Sequence, residues 1–325
     1  MTTTTSTPVS HPSIGSRIAA ELGVKPAQVA AAVGLLDEGS TVPFIARYRK
    51  EATGGLDDVQ LRALEERLVY LRDLEQRRAA ILESIREQGK LTPELEASIA
   101  GADTKQRLED LYAPYKPKRR TKAQIAREAG LDVLAHALLA DATLDPEAEA
   151  AKFLKPAFET ENGANPGVPD VKAALEGARQ VLMEQFAEDA ELVGGLREYL
   201  QAHGVVVATV VEGKEEEGAK FRDYFAYSEP YAKVAPHRAL ALFRGRNEEV
   251  LRATIKLPED IAAAEAIQKP MNPCELRITA KYGIADRGRK ADAWLVQTAR
   301  WTWSVKLAWQ LESELFAALR DTAEA

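Results

Sequence analysis

Arginine, lysine and aromatic side chains are the groups whose types and spacing in this chain could do chemistry, and that chemistry is contact with a polyanion. Between Pro114 and Arg127 stand six cations, Lys116, Lys118, Arg119, Arg120, Lys122 and Arg127, with no carboxylate among them. Cations this dense favour phosphates because their association releases condensed counterions. Tyr112 and Tyr115, just upstream, are available to stack on bases. A solvated basic loop between helices accounts for the same residues equally well. Arg47, Tyr48, Arg49 and Lys50 form a smaller cluster. There the stronger reading is structural: Phe44, Ile45 and Tyr48 as packing, and Arg47 paired with Glu51 or Glu65. His237 beside Arg238 could meet a phosphate, although capping the helix that follows fits better.

Reaction chemistry finds less support. A phosphate-cradling loop needs glycines plus a lysine and a hydroxyl, and the nearest match, Gly283 to Lys290, has arginine and lysine in those two places. The dinucleotide, zincin and serine-hydrolase motifs are absent from the sequence. His11, His136, His203 and His237 are dispersed, and His136 reads as a helix-face imidazole. Acidic pairs such as Asp57-Asp58 and Glu109-Asp110 fall on helix starts and faces. A single cysteine, Cys274, excludes an internal disulfide and a multi-thiolate zinc site. The expectation is therefore no catalytic residue, metal ligand set, cofactor or small-molecule substrate.

The elements that must position the cations are mainly helical. In a chain of 325 residues, two or three globular units are expected. The longest apolar run, Val205 to Val211, is far short of the ~20 residues a membrane span needs. No signal pattern opens the chain, so the expectation is a cytoplasmic protein that meets no membrane. A net charge of −7 argues against a uniformly basic binder, so any polyanion contact must be local.

Residues 1–13 read as a disordered Thr, Ser and Pro tail. A helix from Ile14 stops at Gly23, and another runs from Pro26 to Gly39. Asp57 and Gln60 make a capping box for a long spine helix carrying Leu61, Leu64, Leu68, Leu71, Leu74, Ile81 and Ile85. Its other faces, including Glu65, Arg72, Glu75, Arg77 and Arg78, suit solvent. Thr121 and Gln124 open a helix-turn-helix-like run over 121–140. Asn162 to Pro169 reads as a turn-rich linker. Val205 to Val211 and Val250 to Leu257 read as strands of a minor β element over 205–257. All four tryptophans crowd into sixteen residues, where Trp294, Trp301, Val305 and Trp309 keep helical spacing as a core stripe or docking face. The expected division is 14–66 as an N-terminal helix-turn-helix-like domain and 67–325 as a central helical domain in an elongated, mainly α architecture.

Four segments resemble the Tex family of bacterial transcription accessory proteins: VPFIARYRKEATGGLDD from Val42, DLYAPYKPKRRTKAQIAREAGLDVLA from Asp110, EGKEEEGAKFRDYF from Glu212 and APHRALALFRGRNE from Ala235. The likeness runs from about Ile14 to about Phe316. It implies N-terminal helical and helix-turn-helix-like modules. In the family these precede an RNase H-like domain, helix-hairpin-helix units and a terminal OB-fold that is the main nucleic-acid binder. The resemblance therefore implies an N-terminal portion, or a short relative, without those later domains. The function it implies is a noncatalytic module that places RNA or DNA at the transcription machinery. The contacts assigned to it are Lys116, Lys118, Arg119, Arg120, Lys122, Arg47, Arg49, Lys50, His237 and Arg238. A helical protein-interaction scaffold is the alternative.

Overall fold

The computed structural model of the protein describes residues 13–116 and 120–324. The chain divides into two compact units, Met1–Tyr115 and Lys116–Ala325.

In the first unit six helices follow one another: α1 Ile14–Leu22, α2 Pro26–Asp37, α3 Val42–Tyr48, α4 Asp58–Glu87, α5 Pro93–Ala100 and α6 Lys105–Tyr112. Ser13, placed in the expected tail, is the N-cap of α1, its Oγ accepting from Ser16 N at 3.2 Å. The rest of that tail lies outside the described residues. The capping box forms as its residue types require: Asp57 Oδ1 accepts from Gln60 N at 2.8 Å, and Gln60 Oε1 accepts from Asp57 N at 3.1 Å. The leucine stripe of α4 is buried from Leu61 to Ile85, and Ile18, Val29, Ile45, Ile99 and Leu108 close around it. The expected break after residue 66 falls inside this helix.

Arg78, expected to face solvent, is buried instead. Its guanidinium donates to the Ile99 carbonyl at 3.1 Å and the Ala102 carbonyl at 2.6 Å, where α5 ends. Standing four positions after Leu74 and three before Ile81, Arg78 falls on the leucine stripe itself, so helical spacing turns it inward and its residue type alone suggested solvent. The two carbonyls and the Glu75 carboxylate give the buried guanidinium the partners a charge needs away from water.

The second unit opens with α7 Lys122–Glu128, α8 Leu131–Ala140 and α9 Pro146–Ala150, and then a hairpin of β1 Phe158–Thr160 and β2 Gly163–Asn165. The hairpin, in which Phe158 lies opposite Asn165, occupies part of the expected linker. There follow α10 Val171–Ala187, α11 Ala190–His203, β3 Val205–Val210, β4 Ala226–Pro230, α12 Pro236–Asn247, β5 Leu251–Lys256, α13 Pro258–Ala262, α14 Pro273–Lys281, α15 Asp292–Trp301 and α16 Ala308–Glu324. The sheet is antiparallel, in the order β4-β3-β5, with Val206 opposite both Glu229 and Ile255. The third strand, Ala226–Pro230, resolves the difficulty that two strands do not make a stable sheet.

The helices α7 and α8 meet at Gly130, and α8 turns Leu131, Leu134, Ala135 and Leu138 inward. Its exposed positions include Val133 and His136, and the helix carries no Lys or Arg. His136 bonds Gln185 through Nε2 at 2.9 Å, as a helix-face imidazole does.

Between α15 and α16 the helix widens into a π segment, Thr302–Leu307. The wider turn rotates everything after it about the axis. Trp294, before this segment, and Trp303, within it, are in the core, while Trp301, Val305 and Trp309 remain outside, Trp309 with 73% of its surface exposed. This corrects the core-stripe reading for those three residues and leaves them as an open face.

Candidate nucleic-acid interface

The short helix α3 turns Val42 and Ile45, three positions apart, into the core. Helical periodicity then puts Phe44, Arg47 and Tyr48 on the opposite side. Phe44 is 42% exposed and Tyr48 64%, with ring centroids 5.3 Å apart and tilted by 45°. The Arg47 guanidinium lies 6.0 Å from the Tyr48 ring, and that of Arg49 lies 5.9 Å from the Phe44 ring. Rings half in water and flanked by guanidinium groups have a free face for a third partner.

The turn that follows is held from below. Thr53 is fully buried, and its Oγ1 donates to the Lys50 carbonyl at 3.2 Å. Gln28 Nε2 donates to the Gly54 carbonyl at 2.9 Å. Gly54 sits at φ +63°, where a side chain is strained, and a Cβ there would also come within 3.1 Å of Gln28. Leu56, buried, anchors the far end. The outer rim of this fixed turn is an open basin of about 690 Å³ lined by Arg47, Tyr48, Arg49, Lys50, Glu51, Ala52 and Gly55. Arg47, Arg49 and Lys50 are exposed and make no ion pair among the described residues. The expected pairing of Arg47 with Glu51 or Glu65 does not form, and Phe44 and Tyr48 do not serve as core packing.

The larger expected strip, in the second unit, is differently placed. Lys118 and Arg119 lie outside the described residues. Lys116 and Lys122 are exposed. Arg120 is a structural residue: Nε donates to Glu128 Oε1 at 3.2 Å, Nη2 to Glu128 Oε2, and Nη1 to the Ala164 carbonyl at 2.9 Å. Asn165 Nδ2 and Asn162 Nδ2 donate to the same carboxylate at 3.1 and 3.3 Å. The Arg120 hydrogen bond, with help from the two asparagines, holds the Glu128 carboxyl down to about 2. Arg127 is likewise taken, donating to Glu184 at 2.6 Å. Tyr112, expected to stack on bases, is buried under the Arg77 guanidinium with its hydroxyl 3.0 Å from Ser84. Tyr115 is partly buried against the core of the first unit, and its carbonyl accepts from Gln88 at 2.9 Å.

His237 makes no capping bond: Ala235 is the N-cap of α12 and Pro236 starts the helix. Arg238 Nη1 reaches Glu229 on β4 at 2.5 Å, and Tyr227 donates to that carboxylate too. The structure therefore brings together Arg47, Arg49 and Lys50, and it ties Arg120 and Arg238 to carboxylates. Sequence reasoning missed Phe44 as a surface ring. The signal available was the Val42 and Ile45 pair, which fixes the buried side of α3.

The loop nearest a phosphate cradle already holds an anion of its own. Asp292 Oδ2 accepts from Arg287 N at 2.8 Å and Arg289 N at 2.9 Å, and the Arg289 side chain keeps that carboxyl below its ordinary range. Cys274 is fully buried, and burial pushes its thiol up to about 12. Among the described residues no group of three or more His, Cys, Asp or Glu is placed to hold a metal, and no single helix is long and apolar enough to cross a membrane.

A family model described as Tex-like protein N-terminal domain matches residues 12–86, and one described as Tex central region-like matches residues 141–325. Protein tex of Bordetella pertussis is 53% identical over 329 residues, a match covering 100% of this chain and 40% of that protein. Transcriptional accessory protein Tex of Neisseria gonorrhoeae is 52% identical over 305 residues, 94% of this chain and 38% of that protein. S1 RNA-binding domain-containing protein 1 of Homo sapiens is 28% identical over 245 residues, 73% of this chain and 24% of that protein. The chain thus spans about 40% of the length of the bacterial relatives it matches.

Proposed function

The chain belongs to the Tex family, and from that membership we propose that it is a noncatalytic module of a cytoplasmic transcription accessory protein that binds or positions RNA or DNA at the transcription machinery. The observation that carries this reading is the basin at the end of α3, where Arg47, Arg49 and Lys50 stand exposed beside two open aromatic rings. Cations already paired with carboxylates have little to gain from a phosphate, whereas these three can exchange counterions for one directly. Lys116 and Lys122 are secondary contacts, and Arg120 and Arg238 serve the fold. The name of the gonococcal relative, a transcriptional accessory protein, supports the setting. The noncatalytic reading draws on the self-filled Asp292 loop and the protonated, buried Cys274. A metal-supplemented nuclease assay that cleaves no RNA or DNA agrees with it, and cleavage lost in a chain variant would refute it.

The direct test is a salt titration of oligonucleotide binding by the whole chain and by the triple variant Arg47→Glu, Arg49→Glu, Lys50→Glu. Loss of binding in the variant supports the reading, and unchanged affinity and salt slope reject it.

A second reading, a helical protein-interaction scaffold, is favoured by the open face of Trp301, Val305 and Trp309. Large apolar groups clustered on a surface mark association sites. Pull-downs with and without nuclease separate the two: partners that survive nuclease favour the scaffold, and partners that leave with the nucleic acid favour the first reading.

A further inference from the structure

We propose that the basin lined by Arg47, Tyr48, Arg49 and Lys50, with the Phe44 ring beside it, takes single-stranded nucleic acid, with a base stacked on Tyr48 and the cations tracking the phosphates. This rests on the nucleic-acid reading above and adds which form of the strand is taken.

A surface built for a duplex needs cations spaced along its backbone and gains nothing from bare rings, because the base faces of a duplex are covered by their neighbours. Here the rings are the most exposed apolar groups of the site. Phe44 and Tyr48 are one helical turn apart, tilted by 45°, and neither is sealed by a neighbouring element. An unstacked base presents the π face such a ring lacks. The three cations lie within four positions of chain around the rings, so phosphates on both sides of a stacked base come within reach. A single carboxylate, Glu51, lines the same basin.

The site is also prearranged. The buried Thr53 hydroxyl and the Gln28 amide hold the turn from Arg49 to Gly55 by its carbonyls, so the strand meets a fixed surface and little backbone entropy is lost on binding. An acidic peptide would satisfy the cations but leave the ring faces to chance. The pairing of rings with cations therefore favours the nucleic acid.

The test is fluorescence anisotropy with the whole chain and labelled probes of about 12 nucleotides, oligo-U and oligo-dT, beside a duplex of equal length and an acidic peptide. Either single-stranded probe bound more tightly than the duplex agrees with the proposal, and the two together report any preference for RNA or DNA. Tyr48→Ala should weaken single-strand binding about tenfold without changing its salt slope, and Tyr48→Phe should restore it. Arg47→Gln and Arg49→Gln should each flatten the slope by about 0.7. Tyr48 is largely exposed, so its variants keep the fold, which a circular dichroism melt checks. If Tyr48→Ala binds single strands as the unaltered chain does while the arginine variants lose binding, the stacking site is refuted and the wider reading survives. If the duplex binds as tightly as the single strands, the single-strand preference is refuted. If every nucleic acid ignores all of these substitutions, or the peptide is the sole probe to bind there, both readings fall.

Discussion

Arg120 and Glu128 stand eight positions apart and face each other through two N–H donors on one carboxylate, with the β1–β2 hairpin drawn in by Asn162 and Asn165. A residue that reads in sequence as one more cation in a basic strip is thereby the tie between α7 and a hairpin. Carboxylate–guanidinium pairs of this two-pronged kind have fixed geometry as well as charge.

The pair makes acid stability a readout. The Glu128 carboxyl sits at about 2 against an ordinary 4.5, so the folded state holds its proton more weakly than the unfolded chain does. The stability it contributes is fully present above the unfolded value and drains away as the pH falls from about 4.5 toward 2. Melting curves of the protein and of Glu128→Gln over that range should show a steeper loss in the unaltered chain. Parallel curves would mean that the pair does not hold.

At Gly167 the backbone is at φ +71°, and a Cβ would come within 2.4 Å of the Pro156 carbonyl oxygen. Its N–H also donates to Asn165 Oδ1 at 3.0 Å. Left-handed backbone and a rigid collision add, so Gly167→Ala should cost more than about 2 kcal/mol in urea unfolding. A loss under about 0.5 kcal/mol would contradict this placement.

Two tryptophans six positions apart, one inside the π segment and one just beyond it, have opposite surroundings. Trp303 is 7% exposed and Trp309 73%. Trp303→Ala should destabilise by about 3–5 kcal/mol. Trp309→Ala should stay within about 0.5 kcal/mol. Equal losses in denaturant titrations would contradict the burial of Trp303 and the exposure of Trp309.

Thr53 touches no ligand in this account, yet it fixes the turn that carries Lys50. Thr53→Val removes the bond to the Lys50 carbonyl and should cost about 1 kcal/mol of stability. Oligonucleotide affinity should fall a fewfold with the salt slope intact, since the cations remain. An unchanged affinity would show that the turn needs no support.

Much of the fold was legible because its signals are local. The capping box at Asp57, the stop at Gly23 and the leucine stripe of α4 each lie within a few residues of the feature they specify. Strand β4 was not legible, since Ala226–Pro230 pairs with β3 through backbone bonds that its side-chain types do not announce. Arg78 was misplaced by its residue type and not by its spacing. It stands four positions after Leu74 and three before Ile81, on the buried face, where its guanidinium finds the Ile99 and Ala102 carbonyls. The basic residues were legible as candidates but not in their ranking. Charge density favoured the strip at Lys116 to Lys122, whereas availability depends on whether a carboxylate from elsewhere has arrived, as Glu128 has at Arg120.

The most direct measurement compares two charge-reversed chains in one salt titration against single-stranded RNA: Arg47→Glu, Arg49→Glu, Lys50→Glu on one side and Lys116→Glu, Lys122→Glu on the other. The account predicts that the first variant loses most of its affinity and about 2 from its salt slope, while the second keeps the greater part of both. Full binding by the first, or a larger loss in the second, would contradict it.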